Sequence, residues 1–187
     1  MRLLGIDDGP FSFTDATVPV IGVLQRIDGH VDGVVRTDVT VDGTDSTEAL
    51  VQMIARSRFA DQPTAILLDG AALGGFNVVD LPAVHQRLHL PVISVTRDRP
   101  DLEAIAVALR RRFGEQGPSR LALMASSELE EVTLPLGVLW CRFVGIDGRF
   151  GSRLLLAATS VGLIPSPLRL AHLIATAVVS GSSHGAA

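Results

Sequence analysis

Residues 64–68 read Thr-Ala-Ile-Leu-Leu, an apolar run of strand length that stops at Asp69-Gly70. Nothing polar relieves it after Thr64, so a strand here needs cover on both faces. That requirement constrains the chain to an α/β arrangement, with helices above and below a sheet. Pro-Val-Ile-Ser-Val at 91–95 repeats the pattern, and between the two lies a predicted helix over about 78–89. Pro100 then opens a helix that lines up Leu102, Ile105, Ala106, Leu109 and Phe113 along one stripe.

The N-terminal third has a different grammar. Residues 2–6 (Arg-Leu-Leu-Gly-Ile) form a short buried strand that runs into Asp7-Asp8-Gly9-Pro10. A second strand covers 18–27, and Asp28-Gly29 and Asp32-Gly33 supply turn chemistry. Residues 34–41 alternate apolar and polar, as a half-exposed antiparallel strand does. A helix start signal over 42–48 precedes Ala49, Leu50, Met53 and Ile54, which share one helical face. The order βββαβαβα predicts an α/β fold with a mixed sheet: an antiparallel meander followed by parallel βα units, with helices on both faces.

Beyond residue 114 the signal weakens. Leu121–Met124 reads as an extra edge strand and 138–146 as another strand. A last helix spans 167–180 with Gly181 as its cap, and 182–187 form a loose tail. At 187 residues, 47% of them hydrophobic, the chain fits one domain over 1–187. No apolar stretch reaches the roughly 18–20 residues of a membrane span, and the acidic pair Asp7-Asp8 comes too early for a signal peptide. The lone Cys141 cannot form an internal disulfide and reads as inert core, which suits a reducing cytoplasm.

All 16 basic residues are arginine, and there is no tyrosine. Schiff-base chemistry and Walker-type phosphate loops both need a lysine, so both fall away. Acid–base work must come from Asp, Glu, His or Cys. The arginine usage fits either a GC-rich coding sequence or bidentate phosphate binding. A net charge of −4 does not mark a nucleic-acid binder, although an acidic metal site can mask basic patches elsewhere.

Asp7 and Asp69 each follow a buried strand and precede a glycine-containing turn. In an open α/β sheet such strand ends face the ligand crevice, where two acids repel each other until a cation such as Mg²⁺ or Mn²⁺ joins them. Each is also readable as a residue that only shapes a turn or caps a helix. Asp8 ranks behind them, because strand alternation points it to the other face. Asp45 is the third acidic candidate, with Asp45-x-x-Glu48 also shaped like a capping box, and Asp42 competes with it. Gly74 and Gly75 let backbone approach a ligand, and Asn77 is placed to cap the following helix. Arg97 and Arg99 follow the fifth strand, either as phosphate ligands or as solvated partners of Asp98 and Asp101. Arg110-Arg111-Arg112 reads as a solvated helix end. Arg169, His172 and Thr176 share one face of the last helix, where His172 can serve as general acid or as a structural residue. Ser182, Ser183 and His184 lack an acid behind the histidine and make no triad.

Taken together, Gly5-Ile6-Asp7-Asp8-Gly9-Pro10-Phe11, Val41 to Thr47, Leu68-Asp69-Gly70 with Gly74-Gly75-Phe76-Asn77, Arg97-Asp98-Arg99-Pro100 and Arg169-Leu170-Ala171-His172 resemble the endonuclease-dU-like family, relatives of endonuclease V. The resemblance implies a ribonuclease-H-like fold. Endonuclease V cuts nucleic acid near deaminated bases, using Mg²⁺ held by acidic residues. By position its ligands fall on Asp7, on Asp69 and, with a change of residue type, nearest Asp45. Its His-Pro-Arg segment is replaced here by Gly74-Gly75-Phe76-Asn77, and its tyrosine wedge has no counterpart. The resemblance thus implies a Mg²⁺- or Mn²⁺-dependent endonuclease on uracil- or inosine-containing DNA or RNA. Asp7, Asp69 and Asp45 would hold metal. His172 would join them in catalysis, with Gly74, Gly75, Asn77, Arg97, Arg99 and Arg169 at the substrate. The alternative is a non-catalytic protein that binds a nucleotide or a partner in the same crevice.

Overall fold

The computed structural model describes residues 1–184; the last three residues of the expected tail lie outside them. Strands β1 (Arg2–Asp8), β2 (Thr17–Arg26) and β3 (Val31–Thr40) form the antiparallel meander. Helix α1 (Ser46–Ala55) leads to β4 (Ala65–Asp69), which pairs parallel with β1. A hairpin of β5 (Ala72–Leu73) and β6 (Asn77–Val78) follows, then α2 (Leu81–Leu88) and β7 (Val92–Thr96), parallel to β4. Helices α3 (Leu102–Phe113) and α4 (Gly117–Met124), joined by a 3₁₀ turn, precede β8 (Glu130–Leu134) and β9 (Gly137–Val144). Helices α5 (Gly148–Ala158) and α6 (Ser166–Ser180) end the chain. The main sheet runs β3-β2-β1-β4-β7-β9-β8.

The mixed sheet with helices on both faces is as the sequence pattern predicts. Alternation along the strands makes two cores. Leu4, Ile6, Ile66, Leu68 and Val92 pack against Leu50, Ile54 and Val84 of α1 and α2. On the other face Leu3, Leu67, Ile93, Val95 and Cys141 pack against Leu154, Leu155 and Leu168 of α5 and α6. Complete burial of Ile66 and Leu67, which face opposite ways, is the two-sided cover that the unrelieved run demands. Cys141 is sealed in the second core, where burial pushes its thiol up to about 12.

Four local readings are corrected. Leu121–Met124 is not an edge strand but the end of α4, which Pro118 opens in the first turn; the edge strand is β8, further along the chain. The helix expected over 78–89 starts at Leu81, because Asp80 takes the cap and accepts from the Ala83 N–H at 3.0 Å. Asn77 therefore does not cap that helix. Asp45-x-x-Glu48 is no capping box either: the Asp45 side chain makes no cap bond, and Glu48 pairs with Gln52 and Arg87.

Candidate metal centre

Strands β1, β4 and β7 deliver Asp7, Asp8, Asp69 and Arg97 to one end of the sheet. β1 carries on through both acids, so Asp7 and Asp8 point to opposite faces. Asp7 faces α6, where its Oδ2 lies 2.8 Å from Nδ1 of His172. Asp8 faces the β5–β6 hairpin, where its Oδ2 accepts from the Gly74 N–H at 2.6 Å. The Asp8 N–H in turn donates to Asp7 Oδ1 at 2.9 Å.

Close approach of α6 depends on one residue. A Cβ on Gly5 would collide with the Pro167 carbonyl carbon, a contact no side chain tolerates. Gly5 thus lets the start of α6 lie directly on β1, and Ala171 and Ala175 keep the contact shallow against Ile21 and Val23. His172 is the exposed neighbour of Ala171, so this packing carries it to Asp7.

The electrostatics of the acids are unusual. Asp7 is buried, and burial first, then the charges of Asp69 and Asp8, push its carboxyl up to about 9. Burial likewise raises Asp8. Asp69 opens on solvent at a cavity mouth, yet enough protein surrounds it for desolvation to raise it too, against the pull of His172 and Arg97. Each acid therefore holds its proton more tightly than a free carboxylate, chiefly because the protein withholds water from it. In the present rotamers no three His, Cys, Asp or Glu side chains among the described residues enclose a point where an ion would sit. Asp7 is turned to His172 and Asp8 to Gly74, so the acids are gathered but occupied by other contacts.

Asp69 and Arg97 form the ridge between two hollows. One, of about 650 Å³, is walled by α6 with Arg169, His172 and Thr176. The other, of about 440 Å³, runs under α3 and contains Arg99 and Arg142. Arg99 stacks over Trp140 at 5.1 Å.

The remaining predicted residues form a separate cluster. Asp45 accepts from the Thr40 hydroxyl at 2.8 Å and from the Asn77 side-chain amide at 2.5 Å. Asn77, fully buried, also donates to Thr40 O at 2.9 Å and accepts from the Ser46 N–H at 3.0 Å, so it anchors α1. Asp42 accepts from the Phe76 N–H at 2.9 Å and from Arg112, which is thereby not merely a solvated helix end. Gly74 and Gly75 both have positive φ, and a Cβ on Gly75 would press on Asp42. The glycine loop is a clasp between the hairpin and the β3–α1 connection, and Gly74 joins it to Asp8. Sequence reasoning does not single out Arg142 or Arg120, both buried; their partners lie far away in the chain, so no local motif marks them.

Residues 1–179 match the family described as endonuclease dU. A relative from Thermococcus gammatolerans is 40% identical over 187 residues, covering 98% of this chain and 94% of its own. A crystal structure of a protein of unknown function from Archaeoglobus fulgidus superposes with a TM-score of 0.83 at 32% identity, covering 98% and 99% of the two chains. Endonuclease V of Ciona intestinalis, solved with DNA containing an inosine followed by a ribo-adenosine, shares the fold with a TM-score of 0.58 at 12% identity, covering 91% of this chain and 82% of its own.

Proposed function

The chain belongs to the endonuclease dU family, and from that membership we propose that it is a divalent-metal-dependent endonuclease acting on nucleic acid with deaminated bases. The observation that carries the proposal is the gathering of Asp7, Asp8 and Asp69 at adjacent strand ends, each with raised proton affinity. Such a set suits a hard cation: Mg²⁺ takes one or two carboxylates and completes its shell with water and substrate phosphate. The fold shared with endonuclease V, solved there on inosine-containing DNA, supports the same reading.

Asp7 and Asp69 would hold the ion, with Asp8 rather than Asp45 as the third acid. A bound divalent cation would polarise the phosphodiester and lower the pKa of an attacking water. The chain's own groups do the rest. Arg97, beside Asp69, orients a phosphate oxygen with its fork of donors. His172, exposed and next to Asp7, would take or return a proton at its outward ring nitrogen. Arg169 lines the same hollow and holds a flanking phosphate.

The test is cleavage of single- and double-stranded DNA and RNA carrying one deoxyuridine or inosine, with Mg²⁺ or Mn²⁺. Cleavage beside the lesion, lost in Asp7→Ala, is expected. Intact strands throughout, with Asp7→Ala indistinguishable from wild type, would contradict the proposal. The contact between Asp7 and His172 favours a second reading, a protein that binds nucleic acid in this crevice without cutting it. Tight binding of the same strands with no product would select it.

A further inference from the structure

Among the described residues two arginines are buried, and they are not alike. Arg120 is 6% exposed, donates to the carbonyl oxygens of Asp42, Gly43 and Phe76, and stacks on Phe113 at 4.1 Å; only its Nε lacks a partner. Its work is structural. Arg142 is 5% exposed and makes one hydrogen bond among the described residues, from Nη1 to the Ser127 carbonyl oxygen. Burial lowers its pKa, and no acidic side chain offsets that cost. Beside it the Ser127 hydroxyl is buried with no partner among the described residues.

A buried guanidinium with a single hydrogen bond and no acidic partner is expensive, and so is an orphaned hydroxyl. The two residues touch, and Arg142 lines a cavity. Arg142 stands opposite Ser94 on the face of β9 and β7 that floors the 440 Å³ cavity, whose mouth holds Asp69 and Arg97. The walls are apolar, with Pro100, Leu102, Ile105 and Met124 among them. An apolar slot with a few convergent donors at its floor suits a flat heterocycle better than a phosphate. The exposed Arg97 and Arg99 at the rim are better placed for phosphate.

We propose that Arg142, held by the Ser127 carbonyl oxygen, reads the edge of a nucleobase in this cavity and selects a carbonyl where the unmodified base carries an amino group. The proposal rests on the nucleic-acid reading above and names the feature recognised. A guanidinium has five donors and no acceptor. Deamination turns the exocyclic amino donor of cytosine or adenine into the carbonyl acceptor of uracil or hypoxanthine. The deaminated edge therefore satisfies Arg142, whereas the parent edge sets donor against donor in a buried site.

The experiment uses the whole chain with two readouts. Calorimetry with deoxyuridine and deoxycytidine, and with inorganic phosphate as competitor, measures the pocket without turnover. Cleavage with Mn²⁺ compares strands that differ only by uracil against cytosine. Wild type is expected to favour uracil in both, and Arg142→Met to reduce that preference roughly 10- to 100-fold with Mn²⁺ binding intact. Arg142→Lys, which leaves the floor polar, should reduce it less, and it carries the test if Arg142→Met does not fold. Equal binding of the two nucleosides by wild type, or an undiminished preference in folded variants, would overturn the proposal. Displacement by phosphate together with indifference to the base would make the pocket an anion site and overturn it equally. Nucleoside preference in a protein that cuts nothing would instead count against the nuclease alone.

Discussion

Two polar clusters share one end of the sheet, and Gly74 touches both: its N–H donates to Asp8 and its carbonyl accepts from the Asp42 N–H. In the cluster of Asp42, Asp45, Asn77 and Arg120, nearly every group is satisfied within the protein. In the cluster of Asp7, Asp8 and Asp69, three acids share a desolvated corner without partners that balance them. As sequence the two look the same, since both are Asp and Gly at strand ends. The closed cluster is architecture, because its hydrogen bonds stabilise the fold. The open one is kept at a cost to the fold, which is what a site awaiting a ligand looks like.

The comparison can be broken by substitution. Asp69→Asn should lower cleavage on the order of a thousandfold while the melting temperature of the ion-free protein stays equal or rises. A fall in stability of the kind seen for a core residue would place Asp69 with the architecture instead. Asn77→Ala should do the reverse: it strips the buried Ser46 N–H of its partner and takes the amide donor from Asp45, and should cost about 2–4 kcal/mol in urea unfolding. If Asn77→Ala unfolds like wild type, the clasp is not what holds α1.

A gentler probe is pH. Asp7, Asp8 and Asp69 have folded pKa values above their unfolded ones, with Asp7 near 9. Between the unfolded value of about 4 and the folded one, the native state binds more protons than the unfolded chain. Stability of the ion-free protein should therefore fall as pH rises through that window. Asp7→Asn should flatten the fall, and saturating Mn²⁺ should oppose it. A stability that climbs over the same range would mean that the acids are not buried together.

Much of this is legible in the sequence. Thr64–Leu68 and Gly5–Asp7 announce buried strands ending in acids, because two-sided burial leaves a mark on every residue of a strand. Alternation ranks Asp8 behind Asp7, and alternation does hold: Asp8 does face the other side. It still affects Asp7, because the ladder ends there and two neighbouring acids in a desolvated corner feel each other whichever way they point. Asp45 carries a helix-start signal, yet its carboxylate reaches back to Thr40 and across to Asn77, a choice set by the hairpin packing 32 residues away. Arg142 is invisible in the sequence because its significance lies in what it lacks, and a missing partner cannot be read from neighbours in the chain. The same is true of Gly5, where only the docking of α6 explains the residue.

The central claim is that the open cluster, and not the closed one, is the metal centre. Calorimetric titration of Mn²⁺ into wild type, Asp7→Asn, Asp69→Asn and Asp45→Asn tests it directly. Binding that survives Asp45→Asn and is lost in Asp7→Asn and Asp69→Asn is the predicted result. Binding lost in Asp45→Asn while Asp7→Asn and Asp69→Asn still take up the ion would contradict it.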